Sequence, residues 1–329
     1  MKGGFTSLNY LQGGKDTPAQ KDKKNHKNHK KHKILTKSKS HYKKDHCSPK
    51  KMKSSSKQDM SCLNQELLYK ISEVLNKFHG ADIKGSDSGD LYEQICTKME
   101  GISKCKSEKC WLSFHELIKN LSSDERKEFK ESFKHKMPDS WKKNPTEWLN
   151  TSDIEKCLEQ YHDLYDHFKC YGALPMDFSL KKNNDCVSGD LCKIDLKKHF
   201  EEGKHNVGIV LNLDDHDEPG SHWVAIYIEL LPRNRDKPSM YYFDSIADKP
   251  TKEVNRFVKE IQKQYKDLRN EEIEFLYNDI QHQKKNTECG IYCIHFITTM
   301  LEGVDFKEYI QEIKDDAFMQ KFRSYFFIE

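Results

Sequence analysis

Between residues 206 and 280 the chain carries apolar segments of strand length, and they constrain the fold more than any other feature. NVGIVLNL (206–213) and HWVAIYIELL (222–231) are rich in β-branched and aromatic residues. The turn-forming stretches DDHDEPGS and PRNRDKP bound the second of them. SMYYFD (239–244) predicts another strand, and residues 272–280 a fourth. Helical patterns stand around them: one over 153–168, one opened by Pro250 and running to about Leu268, and an apolar one over 290–301. Strands interleaved with helices specify a central mixed sheet flanked by helices, an α+β fold occupying residues 145–329.

The region before it follows a different period. Leu63, Leu67, Leu68, Ile71, Val74, Leu75 and Phe78 fall at helical spacing. Leu91–Met99 and Trp111–Leu121 continue in the same way, and Ser122, Ser123 and Asp124 predict a helix start. Residues 60–144 therefore read as a helical accessory domain whose apolar stripes form its own core. Ahead of it, residues 1–59 contain KDKKNHKNHKKHK and KSKSHYKKDHC. Residues 1–57 hold 17 Lys and 3 Asp, a net of +14 in a chain whose total is +3, so the remainder sums to −11. Such a segment has little apolar area to offset ordering entropy, which predicts a disordered basic tail. Its two readings are a solvated tail and non-specific attraction for nucleic acid by counterion release.

No run of 18 apolar residues occurs, so no membrane span is expected. The start of the sequence lacks an apolar signal core, which argues against secretion. Eleven cysteines without a signal segment read as reduced thiols in a cytosol-like compartment. Cys105 with Cys110, and Cys186 with Cys192, have spacings unlike the C-x2-C of zinc sites. Neither a metal nor a cofactor is expected.

The segment QKKNTECGIYC (283–293) carries the chemistry. It sets Cys289 where a loop becomes an apolar helix, and unpaired N–H groups at a helix start favour a thiolate. Gly290 would let backbone approach a substrate, and Cys293, one turn on, suits a core position. His222 opens a strand after a polar loop and can serve as base; by itself it reads more readily as a surface histidine. Asp244 ends the next strand and can orient an imidazole, provided that the connectivity brings both strand ends together. Gln283 can donate its amide to an oxyanion, or be an ordinary polar loop residue.

The order of these residues is more informative than any one of them. His-Trp opening a strand, Asp closing the next and Gln-x5-Cys-Gly opening a helix resembles the ubiquitin-like-protein (SUMO) protease family of cysteine peptidases. The segments KHNVGIVLN, GSHWVAIYIE, YYFDS, QHQKKNTECGIYC and FRSYFF carry a closer likeness to the African-swine-fever-type polyprotein proteases of large DNA viruses. YHDLYDHFKCYGALPMDF resembles the entrance to that family's core. The resemblance implies a papain-like catalytic domain with His222 as base, Asp244 as orienting acid, Gln283 as oxyanion donor and Cys289 as nucleophile. Trp223 would pack beside His222 at the substrate channel or serve the core. The viral proteases of this type carry Asn where this chain has Asp244, and either can accept from an imidazole.

The same resemblance implies a thiol protease cleaving after Gly-Gly. Its substrate would be a viral structural polyprotein matured in the virion and host cytoplasm, or a ubiquitin-like protein in conjugates. Acetyl transfer by the same His-acid-Cys set is a further alternative, although no phosphate-binding Gly-rich loop is visible. Gly-Gly occurs in this chain at Gly3-Gly4 and Gly13-Gly14, which are either chance pairs or points of self-cleavage.

Overall fold

The computed structural model describes residues 46–54, 61–105, 107–162, 164–232 and 237–328. The lysine- and histidine-rich stretch before residue 46 and both Gly-Gly pairs lie outside them. Residues 46–54 do not belong with a disordered tail. Pro49–Ser54 is a short helix, Cys47 is buried against Phe133, and a Cys47–Cys62 disulfide ties the segment to the helical region.

The helical region contains α1 (Gln65–His79), α2 (Ser88–Ser103) and α3 (Ser123–Glu131). Its caps follow local chemistry. The Asn64 side chain accepts from Leu67 N–H, and Ser122 with Glu125 forms a reciprocal capping box. The stretch 111–121 is not one helix; it divides into Glu108–Trp111 and His115–Lys119. Leu68, Ile71, Leu75, Ile95, Trp111 and Phe129 are buried in a cluster of this region's own.

A single five-stranded sheet organises the rest: β1 (Phe168–Leu174), β2 (Asn206–Asn212), β3 (Trp223–Glu229), β4 (Ser239–Phe243) and β5 (Glu274–Tyr277), side by side in that order. The outer pairs β1/β2 and β4/β5 are parallel; β2/β3 and β3/β4 are antiparallel. Alternation divides β3 between two cores. Trp223, Ala225 and Tyr227 face α4 (Thr151–His162) and an apolar helix, while Val224, Ile226 and Ile228 face α5 (Lys252–Arg269). The apolar helix is α6 (Cys289–Leu301), and α7 (Asp316–Phe326) packs beside it.

Strand β1 departs from the sequence expectation, which runs α4 on to Phe168. The helix stops at His162, and Phe168 enters the sheet fully buried. The cysteines depart as well. Six of them form Cys47–Cys62, Cys105–Cys110 and Cys186–Cys192 disulfides, not free thiols or zinc half-sites. Local turns and the docking of residue 47 bring each pair within bonding reach, and a bonded pair has no thiolate to offer a metal.

Candidate active site

Antiparallel pairing solves the connectivity problem at the site. Ala225 of β3 pairs with Phe243 of β4, so the start of β3 lies beside the end of β4. His222 and Asp244 flank those ends, and His222 Nε2 lies 2.8 Å from Asp244 Oδ1. Asp244 is fully buried. Its Oδ1 also accepts from Ile246 N–H at 2.9 Å, which fixes the carboxylate orientation. Asn278, just past β5, clamps the Asp244 backbone: Asn278 Oδ1 accepts from Asp244 N–H at 2.8 Å, and Asn278 Nδ2 donates to Asp244 C=O at 2.7 Å.

Cys289 opens α6, is 2% exposed and is hydrogen-bonded to His222. Because Nε2 faces Asp244, Nδ1 is the imidazole nitrogen left for the thiol. Burial by itself depresses the His222 pKa. The hydrogen bonds and charges of Asp244 and Cys289 outweigh it and raise His222 to about 9. An imidazole held in that state can pair with a thiolate at neutral pH and later supply a proton to a leaving amine. Cys293 is buried, and burial foremost, then the charge of Cys289, pushes its thiol well up. It is a core cysteine.

Gln283 is 1% exposed in the loop that leads to Cys289. Ser245, the neighbour of Asp244, donates from its hydroxyl to Gln283 Oε1 at 2.6 Å, turning the amide nitrogen the other way. That nitrogen donates to Lys285 C=O at 2.5 Å and carries a second N–H. Ser245 C=O accepts from the backbone of His282 and Gln283, and Asp316 on α7 accepts from Lys284 and Lys285 N–H. The loop before the cysteine is thus held at both ends.

Two side chains that sequence reasoning missed support the start of α6. Glu288 precedes Cys289 and is 1% exposed; Arg323 Nε on α7 donates to Glu288 Oε2 at 2.7 Å. The guanidinium also donates to Thr287 C=O and lies over the Trp141 ring at 4.5 Å. A Glu–Arg pair 35 residues apart leaves no periodic signal in a sequence.

At Gly290 a Cβ would lie 3.0 Å from the Leu149 side chain and 3.4 Å from Ile154. The glycine admits the close approach of Leu149 and of Ile154 on α4. Trp223 joins the same junction. Its indole N–H donates to Leu149 C=O at 3.0 Å, and its ring belongs to the core cluster that includes Cys289. The tryptophan next to His222 therefore also fastens α4.

The chain is similar to known proteins in sequence and in fold. Residues 196–329 match the Ulp1 protease family, C-terminal catalytic domain. Over 164 residues the chain is 34% identical to a protein of Acanthamoeba polyphaga mimivirus that is named as a thiol protease; this covers 49% of the chain and 50% of the relative. The chain thus spans half the length of that relative. It is 28% identical over 240 residues to a cysteine protease of African swine fever virus, covering 68% of the chain and 83% of that protein. The crystal structure of the African swine fever virus protease shares the fold, with a TM-score of 0.58 at 23% identity over 86% of this chain and 95% of that one. The five-stranded sheet, the helix that starts at Cys289 and the sequence match over residues 196–329 together make this part of the chain similar to the C-terminal catalytic domain of the Ulp1 protease family.

Proposed function

We propose that the chain is a cysteine endopeptidase that cleaves after Gly-Gly, with a structural polyprotein of a large DNA virus as its substrate. One observation carries the reading: His222 Nε2 lies 2.8 Å from the buried Asp244 Oδ1, and Cys289 at the start of α6 acts on the same imidazole. In this reading the Cys289 thiolate attacks the scissile carbonyl. Cys289 N–H and the second N–H of Gln283 Nε2 donate to the oxyanion. The tetrahedral intermediate expels the amine, which takes its proton from His222, and leaves a thioester. His222 then takes a proton from water, whose hydroxide opens the thioester and releases the acid, restoring the Cys289 thiolate beside the imidazolium. A nucleophile 2% exposed beside a Trp223 that is 7% exposed leaves little room for side chains next to the scissile bond, which suits glycine.

The viral relatives support action in virus particles and host cytoplasm. Among the described residues no helix is long and apolar enough to cross a membrane. The +14 charge of residues 1–57 supports attraction for nucleic acid. A second reading, release of ubiquitin-like proteins from conjugates, is favoured by the name SUMO-1 cysteine protease that an African swine fever virus relative bears.

The test uses a peptide ending in Gly-Gly-vinyl sulfone, followed by peptide mapping, beside cleavage of extended Gly-Gly-X peptides and of a ubiquitin-like protein fusion. We expect the adduct on Cys289 and cleavage of the short peptides. Turnover of the folded fusion alone would favour the second reading, and labelling elsewhere or nowhere would overturn both.

A further inference from the structure

Three separate stretches of the chain converge on one buried point of the helical region. Among the described residues, a ring nitrogen of His46 and the sulfurs of Cys47 and Cys62 lie within 4.8 Å of one another. Both cysteines are buried and joined as a disulfide. The third stretch supplies Glu108, which opens the short helix Glu108–Trp111 and is 1% exposed. His46 Nε2 lies 3.2 Å from Glu108 Oε2, and the same oxygen accepts from Cys62 N–H at 3.1 Å. Glu108 Oε1 accepts from the Ser61 hydroxyl. Two more contacts fix His46: its ring stacks on Phe133 with centroids 5.8 Å apart, and its C=O accepts from Lys134 N–H at 2.9 Å.

A disulfide alone does not need this arrangement. The covalent bond gives no role to a histidine fixed against both sulfurs, or to a buried carboxylate set against the histidine. Reduced, the same cysteines offer two thiolates, and two thiolates with an imidazole are a donor set for tetrahedral zinc. A carboxylate beside the imidazole is the usual partner of a metal-binding histidine, orienting the ring and raising its basicity. Thiolates at roughly 2.3 Å from a tetrahedral ion stand about 3.8 Å apart. Side-chain rotation can open that separation between Cα atoms that are 5.2 Å apart. The charges match as well, since a divalent ion balances two thiolates.

We propose that His46, Cys47 and Cys62 form a zinc site that exchanges with the Cys47–Cys62 disulfide, with Glu108 positioning the imidazole and water in the fourth place. The exchange balances with a small dithiol as reductant. Its thiolate attacks one sulfur of the disulfide, forming a mixed disulfide and releasing the other cysteine. Its second thiol then displaces the remaining cysteine. Two electrons pass from the dithiol, which leaves as its own disulfide, to the cysteine pair. Zn²⁺ replaces the two thiol protons, which go to solvent. Reversal takes a small disulfide as oxidant, which accepts two electrons from the thiolates and frees the ion. Either state ties the segment that holds Pro49–Ser54 to the helical region, so the anchor persists in reducing and in oxidising surroundings. Both sulfurs are buried, so exchange waits on the lifting of that segment.

The test uses the full chain, reduced with dithiothreitol and freed of it under anaerobic conditions, beside the oxidised chain. Each is titrated with Zn²⁺ by calorimetry and followed by thermal unfolding. Co²⁺ serves as a spectroscopic probe, because its thiolate-to-metal charge-transfer absorption reports bound sulfur. The comparison is with His46→Ala, which leaves both cysteines and their disulfide in place, and with the gentler His46→Gln should the first fail to fold. We expect zinc to raise the unfolding temperature of the reduced wild type, cobalt to give the charge-transfer band, and zinc affinity to fall at least about tenfold in the histidine variant. Three results would overturn the proposal. One is the absence of a zinc-dependent rise in the reduced wild type. Another is equal zinc affinity in reduced wild type and histidine variant, which would move the metal to other thiols. The third is zinc bound as tightly by the oxidised chain as by the reduced one.

Discussion

Replacing Asp244 by Asn tests the electrostatic core of the candidate site with a minimal change of shape. The wild-type carboxylate is fully buried and 2.8 Å from His222 Nε2. Asn keeps an acceptor oxygen there but removes the charge. His222 stands at about 9, against an ordinary value near 6.5, so the net gain is about 3 kcal/mol in favour of the imidazolium, with Asp244 and Cys289 supplying it against burial. If Asp244 accounts for roughly half, the variant imidazole should titrate roughly 1–2 units lower. In a pH profile of kcat/KM on a Gly-Gly peptide, the alkaline limb reports loss of the imidazolium. It should move to lower pH by that amount, while activity at the optimum falls only about 10–100-fold. Stability should follow with a definite sign. A histidine whose pKa is raised on folding stabilises fully below about 6.5, and that contribution disappears as the pH rises through about 9. Urea unfolding of the wild type should therefore lose up to about 3 kcal/mol over this window, and Asp244→Asn distinctly less. An alkaline limb that stays in place in the variant would refute the reasoning.

Cys289→Ser should reduce turnover by several orders of magnitude with folding intact, whereas Cys293→Ser should keep most activity; comparable rates from single-turnover assays would reverse the assignment. Gln283→Ala should lower kcat by roughly 10²–10³ with KM little changed, and an effect on KM alone in steady-state kinetics would remove it from the oxyanion site. Arg323→Met leaves Glu288 buried without its partner and should cost about 3–5 kcal/mol in denaturant unfolding, with much of that recovered in Arg323→Met/Glu288→Gln. Intact-mass measurement of active wild type beside Cys289→Ala should reveal new termini at Phe5 or Lys15 if the N-terminal Gly-Gly pairs are cut in cis or in trans; an unprocessed active wild type excludes it.

Periodicity and segment chemistry give the architecture well, because the central strands are continuous apolar runs and the helices are strongly patterned. β1 is hidden for local reasons. It follows α4 closely, Gly172 adopts φ +88°, and its register with β2 shifts between Cys170 and Ala173, so no clean alternation remains. Cys47 is hidden by its surroundings: a lysine-rich, serine-rich stretch conceals the buried half-cystine that anchors it. Within the site, His222, Asp244, Gln283 and Cys289 can be put forward as a set from their order, but their distances follow only from the antiparallel register of β3 and β4. Glu288, Arg323, Asn278 and Ser245 are ordinary polar residues in one dimension. Their importance lies in partners 34 to 38 positions away.

After α7 the chain returns to its first half. Phe327 and Ile328 pair in parallel with His135 and Lys136, and Ile328 also packs against the core of the helical region. The helix just before them carries Arg323, the partner of Glu288. During synthesis the helical region and most of the sheet emerge long before these residues exist. Until they do, Glu288 has no counter-charge and the strand at His135 has no neighbour. α6 can thus reach its final footing only after residues 316–328 have left the ribosome, and closing nearly 200 residues of chain is among the slow, non-local steps of folding. The order of translation alone delays the final footing of α6 until well after Cys289 itself has been made.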